Sequence, residues 1–202
     1  MLPGNSNTPR YQQQHKKAIE AAASVFAEKG YHGSSTKDIA SSLGIRQGSL
    51  YYYFKSKESA LEEVCLMAMH GYVDQMDQIS KQQLPFQERL TLAIGAHLAS
   101  YRNKTEALKV HNEQRLYLPP ERREKLKELG SRYRQQLEGI LIDGALKGFV
   151  SKDTDCHFSA LSLIGLCNYW GAMLTRDATL DLQDTTLKCT NFALSGCFAK
   201  NN

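Results

Sequence analysis

Residues capable of covalent or metal chemistry are plentiful in this chain but are not arranged for it. Its six histidines (15, 32, 70, 97, 111 and 157) and five cysteines (65, 156, 167, 189 and 197) contain no HExxH, no CxxC and no paired His/Cys spacing of a zinc site. No serine sits in a nucleophile elbow, and there is no Gly-rich phosphate loop. The expectation is a non-enzyme without metal or cofactor. An odd cysteine count with no CxxC reads as reduced thiols held in the helices of a cytoplasmic protein. The remaining chemistry is recognition, by hydrogen bonds, ion pairs and ring faces.

One stretch carries most of it. In Ser35–Phe54, Ser35 and Asp38 have the spacing of a capping box, and Ile39, Ala40 and Leu43 make an apolar stripe. Gly44 suits a tight corner, and Leu50 and Phe54 lie four residues apart on a second short helix. Two helices around a Gly-containing turn form the helix-turn-helix pattern, whose second helix enters a DNA major groove. Charge agrees. Residues 1–60 hold eight Lys/Arg against four acids; the chain total of 25 against 21 leaves 17 against 17 elsewhere, so the whole excess accompanies this stretch. Gln47, Gly48 and Ser49 are candidates for base edges, Tyr52 and Tyr53 for the groove or phosphates, and Thr36, Arg46 and Lys57 for phosphates.

The run Ala18–Ala40, with Gly44-Ile45, Gly48-Ser49-Leu50-Tyr51-Tyr52-Tyr53-Phe54 and Lys55-Ser56-Lys57-Glu58, resembles the N-terminal domain of the TetR family of bacterial transcriptional regulators. Members usually have Ser or Thr before the recognition helix, where this chain has Arg46, which removes a capping hydroxyl and adds a long cation. The resemblance implies a ligand-responsive repressor that dimerises through C-terminal helices and binds a palindromic operator in double-stranded DNA.

The elements that must position these residues read as helices throughout, since no segment sustains period-two alternation. A flexible arm is expected over 1–11, with a first helix over about 10–29 whose Ile19, Ala22, Ala23 and Phe26 face the hairpin. The reader helices are expected at 36–43 and 47–53. Ser56 caps a linking helix over 57–80. Further helices follow at 86–101, 104–116, 121–147, 154–174 and 182–199. The fold class is therefore all-α, with a helix-turn-helix domain over 12–56 and a ligand-binding and dimerisation domain over 81–202. No unbroken run of eighteen apolar residues marks a membrane span, so no membrane partner is expected.

The last two helices are apolar on too many sides for a core of this size. A second copy pairing two helices from each subunit would cover them, with Leu163, Leu166, Trp170, Phe192 and Cys197 at the contact. The second domain also places His97, Tyr101, Arg102, His111, Asn112, Arg115, Asn168, Tyr169 and Trp170 in apolar settings, where some must line a pocket. Patches here, among them Asn112-Glu113-Gln114-Arg115-Leu116 and Gly165-Leu166-Cys167-Asn168-Tyr169-Trp170, resemble the branch of the family that regulates fatty-acid, sterol or aromatic catabolism. Some of those regulators bind acyl-CoA thioesters. The resemblance makes a hydrophobic effector the expected ligand, with Arg102, Arg115 and Arg122 available to acyl-CoA phosphates. The competing reading is a helical interaction or scaffold protein that keeps the hairpin as packing. Steep loss of DNA affinity with salt separates the two.

Overall fold

The computed structural model describes residues 8–102 and 106–197. Their regular elements are all helical: α1 (Pro9–Gly33), α2 (Thr36–Ser42), α3 (Gln47–Leu50), α4 (Lys57–Ser80), α5 (Phe86–Arg102), α6 (Glu106–Gln114), α7 (Glu124–Leu146), α8 (Cys156–Arg176) and α9 (Leu182–Phe192). Short 3-10 turns occupy Arg115–Tyr117 and Pro120–Arg123, and a wide π turn follows α9 at Ala193–Cys197. The chain divides into two compact units, Met1–Met69 with Thr105–Leu126, and His70–Lys104 with Lys127–Asn202. This differs from the linear division read from sequence, because α6 and the turns after it belong to the first unit.

In the first unit, α1 begins at Pro9, inside the stretch expected as a flexible arm. Thr8 caps it, its hydroxyl oxygen accepting from the Tyr11 N–H at 3.3 Å, and proline at the first helical position costs no hydrogen bond. Positions 1–7 of the expected arm lie outside the described residues. The helix buries Ala18, Ala22, Ala23, Val25 and Phe26, with Ile19 only half-buried, and Gly30 (φ +72°) breaks it near the expected end. Carbonyls of the last turn before that break need outside donors. Two side chains of α6 supply them: Gln114 Nε2 donates to Phe26 O and Lys109 Nζ to Ala27 O, each at 2.9 Å.

The reader follows. Ser35 and Asp38 form the expected capping box, with the Ser35 N–H donating to Asp38 Oδ2 at 2.8 Å and the Asp38 N–H to Ser35 Oγ at 3.2 Å. Gly44 takes φ +71°, which a side chain would resist, and this lets the Ile45 N–H reach back to Ala40 O at 3.0 Å. Helix α3 is shorter than expected. Past Leu50 the N–H groups of Tyr52 and Tyr53 bond to Ser49 O and Leu50 O, three residues back, so the tyrosine run lies in a tightened turn. Leu50 and Phe54 anchor that turn in the core with Ile39, Leu61 and Val64. Ser56 caps α4 as expected, accepting from the Ser59 N–H at 3.1 Å.

In the second unit, α5 packs against α8 and α9 around a core that includes Phe86, Leu90, Ile94, Leu98, Leu137, Leu141, Leu163 and Leu174. Close approach sets two glycines here: a Cβ on Gly171 of α8 would stand 2.4 Å from Tyr101 Cδ2, and one on Gly144 of α7 would stand 2.5 Å from Phe86 Cε2, so glycine lets each ring lie on its helix. Arg89 and Lys147 both pair with Asp143. Helix α8, 21 residues with mean hydropathy 1.2, has the length and composition to cross a bilayer although no apolar run is unbroken. Its Ser159, Ala160, Leu163, Cys167, Gly171 and Leu174 form one buried stripe, while Phe158, Leu161 and Tyr169 on its other side are exposed. The expected helix end at 198–199 lies outside the described residues.

Candidate nucleic-acid interface and buried polar cluster

The residues assigned to DNA all belong to the first unit. Arg46, Gln47, Gly48 and Ser49 are exposed at the start of α3; Tyr52 is 48% exposed and Tyr53 half-buried. Arg46 stands at the cap position of α3 without a side-chain capping bond, and the Ser49 N–H donates to its carbonyl at 2.9 Å. Gln47 Nε2 donates to Thr36 Oγ1 at 2.9 Å, joining the starts of α2 and α3. Tyr51, which sequence reasoning passed over, is 54% exposed. Lys57 is held internally. Its ammonium donates to Ser34 O at 2.5 Å and lies 4.4 Å from the centre of the Tyr31 ring. Sequence reasoning had no signal for that partner, because Ser34 and Tyr31 lie two helices away.

Candidates for the ligand divide between the units. His111, Asn112 and Arg115 belong to the first. His111 is buried and Asn112 exposed, and the Arg115 guanidinium donates back to His111 O and Asn112 O. In the second unit, buried His97 joins a polar cluster that runs from buried Tyr133 through half-buried Tyr101 to exposed Asn168. Its Nδ1 is 2.7 Å from Tyr133 Oη and its Nε2 3.0 Å from Asn168 Oδ1, which also accepts from Tyr101 Oη at 3.0 Å. An amide oxygen can only accept, so Nε2 carries the proton and Nδ1 of the neutral ring accepts a hydrogen bond from the Tyr133 hydroxyl. The Tyr72 ring lies against His97 at 5.1 Å, and its hydroxyl meets Ser100 Oγ at 2.9 Å. Tyr72 and Tyr133 are members of this cluster that periodicity gave no reason to select. Outside it, the Arg102 guanidinium donates to Leu180 O, Tyr169 is exposed, and Trp170 is half-buried with its ring edge-on to Tyr169.

Burial, opposed only by the Asn168 hydrogen bond, pulls His97 down to about 4; burial and then Arg115 do the same to His111. The cluster is therefore uncharged near neutrality. In the unfolded chain both rings protonate near 6.5, so acid favours unfolding. The stability these neutral histidines contribute is complete above about pH 6.5 and is lost as pH falls toward 4, at up to about 1.4 kcal/mol per pH unit for each. Asp38, held near 2 chiefly by Lys29 and then Ser35, loses its contribution only below that window. Urea midpoints at pH 7.5, 5.5 and 4.5 should fall steadily, and the fall should be shallower in His97→Gln. A flat profile down to 4.5 would contradict the buried neutral assignment.

Candidates for the dimer contact also separate. Phe192 is 61% exposed and Leu166 and Trp170 are half-buried, whereas Leu163 is already covered by its own unit's core. The Cys197 side chain lies outside what the structure describes. Cys65, Cys167 and Cys189 are buried free thiols, and burial pushes Cys65 and Cys167 up to about 12. Among the described residues no group of three or more His, Cys, Asp or Glu could hold a metal ion.

Comparison with known proteins agrees with this architecture. Residues 18–64 match the family described as bacterial regulatory proteins, tetR family, and residues 83–195 match the tetracyclin repressor-like C-terminal domain. The chain is 29% identical over 157 residues to the fatty acid metabolism regulator protein of Bacillus subtilis (strain 168), covering 78% of this chain and 79% of that protein. It is 27% identical over 146 residues to the transcriptional repressor KstR2 of Rhodococcus jostii (strain RHA1), covering 70% of each. Among solved structures, FadR from Bacillus subtilis in complex with stearoyl-CoA superposes with a TM-score of 0.79 at 26% identity, over 90% of this chain and 98% of that one. PfmR from Thermus thermophilus gives 0.80 at 25% identity, over 91% and 100%. With both its helix-turn-helix and its C-terminal helical domain matched, the chain belongs to the TetR family: an all-α, ligand-responsive, DNA-binding transcriptional regulator of a kind that carries no catalytic activity.

Proposed function

We propose that the chain represses transcription in the cytoplasm as a homodimer on a palindromic operator, and is released from it by a hydrophobic effector, an acyl-CoA thioester. The observation that carries the DNA half is the exposed Arg46–Ser49 segment on a box-capped hairpin, within the sixty residues that hold the chain's whole positive excess. The effector half rests on an uncharged hydrogen-bonding cluster inside an apolar unit, in a chain similar to a fatty acid metabolism regulator and to a structure holding stearoyl-CoA. A neutral cluster suits a carbonyl or hydroxyl within a long apolar ligand, since it presents polar groups with no charge to neutralise. Helix α4 runs unbroken from Lys57 to Ser80, with residues in both units, and is the proposed relay.

One observation favours a second effector class. Arg102 and Arg115, candidates for the thioester's phosphates, already give their guanidinium groups to backbone carbonyls. A smaller uncharged apolar compound would leave them there.

The test measures operator affinity with and without saturating stearoyl-CoA, and stearoyl-CoA affinity with and without operator. Linkage requires the same factor in both directions, and a ligand without preference for the DNA-incompetent state shifts nothing. A factor of one in both directions removes the thioester as effector. Arg102→Ala and Arg115→Ala then weaken stearoyl-CoA binding if its phosphates use these side chains.

A further inference from the structure

Tyr52 and Tyr53 follow the last residue of α3 and are carried by a turn of two three-residue hydrogen bonds. Such a turn fixes the backbone path but leaves the ring directions to whatever packs on them. The packing comes from the beginning of α1. Tyr11 meets Tyr52 edge-to-face at 5.4 Å between ring centres and stacks on Tyr53 at 6.2 Å. His15, one turn later and stacked on Tyr11 at 5.6 Å, also stacks on Tyr53 at 6.2 Å and lies 5.9 Å from the Phe54 ring. The two tyrosines themselves meet edge-to-face at 5.5 Å. Behind the rings, His15 Nε2 lies 3.0 Å from Glu63 Oε2 on α4. Burial, and after it Tyr52, Glu63 and Tyr53, raise the Tyr11 hydroxyl, which keeps it a neutral donor among these groups.

We infer that Tyr11 and His15 are positioning residues for operator recognition: they hold the rings of Tyr52 and Tyr53 in their binding directions and tie them to Glu63 of α4. The assignment rests on the reading of Tyr52 and Tyr53 as DNA contacts. It depends on α1 starting ahead of Tyr11, because Thr8 and Pro9 place that residue in the first helical turn. Offset and edge-to-face ring pairs have preferred geometries, so several pairs meeting at one point restrict each ring more than apolar burial alone. The link to Glu63 gives α4 a second grip on the reader besides its own first turn.

The experiment compares operator and scrambled DNA in band-shift titrations with the full-length protein. Tyr11→Ala is expected to weaken operator binding about tenfold, a loss matching one to two ring pairs, with scrambled DNA changed by less than about twofold. Tyr11→Phe keeps the ring and should restore operator affinity. Should Tyr11→Ala lower the urea midpoint, His15→Gln carries the same comparison. Three results overturn the inference: unchanged operator affinity in both variants, equal loss on both DNAs, or failure of Tyr11→Phe to rescue, which would make the hydroxyl itself a DNA contact. If replacing Tyr52 and Tyr53 leaves operator binding intact, the underlying assignment fails and not the packing claim.

Discussion

Replacing Tyr52 and Tyr53 together with alanine is expected to abolish specific operator binding while leaving the circular dichroism spectrum of the helices unchanged. Neither side chain belongs to the fully buried anchor of the turn, which is Leu50 and Phe54. Their loss therefore removes contacts to DNA without opening the core. A pair of aromatic side chains at the groove, each contributing about 1–3 kcal/mol, corresponds to a loss of two to four orders of magnitude in affinity. Residual binding should be weak, alike on all sequences and strongly salt-dependent, because the surrounding cations still neutralise phosphate. Undiminished affinity in a band-shift titration would remove both tyrosines from the interface and shift attention to exposed Tyr51.

The second large effect concerns assembly. A negative charge at Phe192 should split the dimer. Phe192 is exposed on α9, and Phe158, Leu161 and Tyr169 are exposed on α8, an apolar surface that a second copy would cover. An unpaired carboxylate buried at such a contact costs about 3–5 kcal/mol, enough to raise the dissociation constant by more than about a hundredfold. Sedimentation at micromolar concentration should report two subunits for the natural chain and one for Phe192→Glu. Operator affinity should collapse with it, since two half-sites about 34 Å apart need both readers at once. Leu166→Glu should act in the same direction from a half-buried position. Leu163→Glu should behave differently and unfold the second unit, because that side chain is enclosed by its own chain. A monomer for the natural protein would contradict the two-half-site reading.

Local chemistry was legible in these residues, and distant packing was not. The Ser35–Asp38 box, the Gly44 corner and the Ser56 cap each involve residues within five positions, so their types alone predict the geometry. The early end of α3 was hidden, because three successive tyrosines suit a helix or a turn equally. Leu163 read as an outer residue on an all-apolar helix, and only the fold shows which of its sides faces inward. The cluster around His97 was legible in part. His97, Tyr101 and Asn168 stand out as polar groups in apolar runs, while Tyr72 and Tyr133 have ring character that fits a core without their hydroxyls being used. Lys57 looked like a phosphate contact because exposure is the default for lysine, and its partners are remote in sequence.

The return of residues 105–126 to the first unit has a consequence for modularity. A reader assembled from one continuous stretch could be cut out and grafted to a different sensor. Here the carbonyls of α1 just before its break at Gly30 are closed by Gln114 and Lys109, and Ala107, Leu108 and Val110 are buried in the same unit. Excising the chain after Met69 would strip those donors and bare that apolar face, so the fragment would be a damaged fold rather than a free-standing one. Any exchange of sensors, in the laboratory or between lineages, has to carry α6 along with the reader, and the seams for recombination fall within α4, ahead of α6 and within α7.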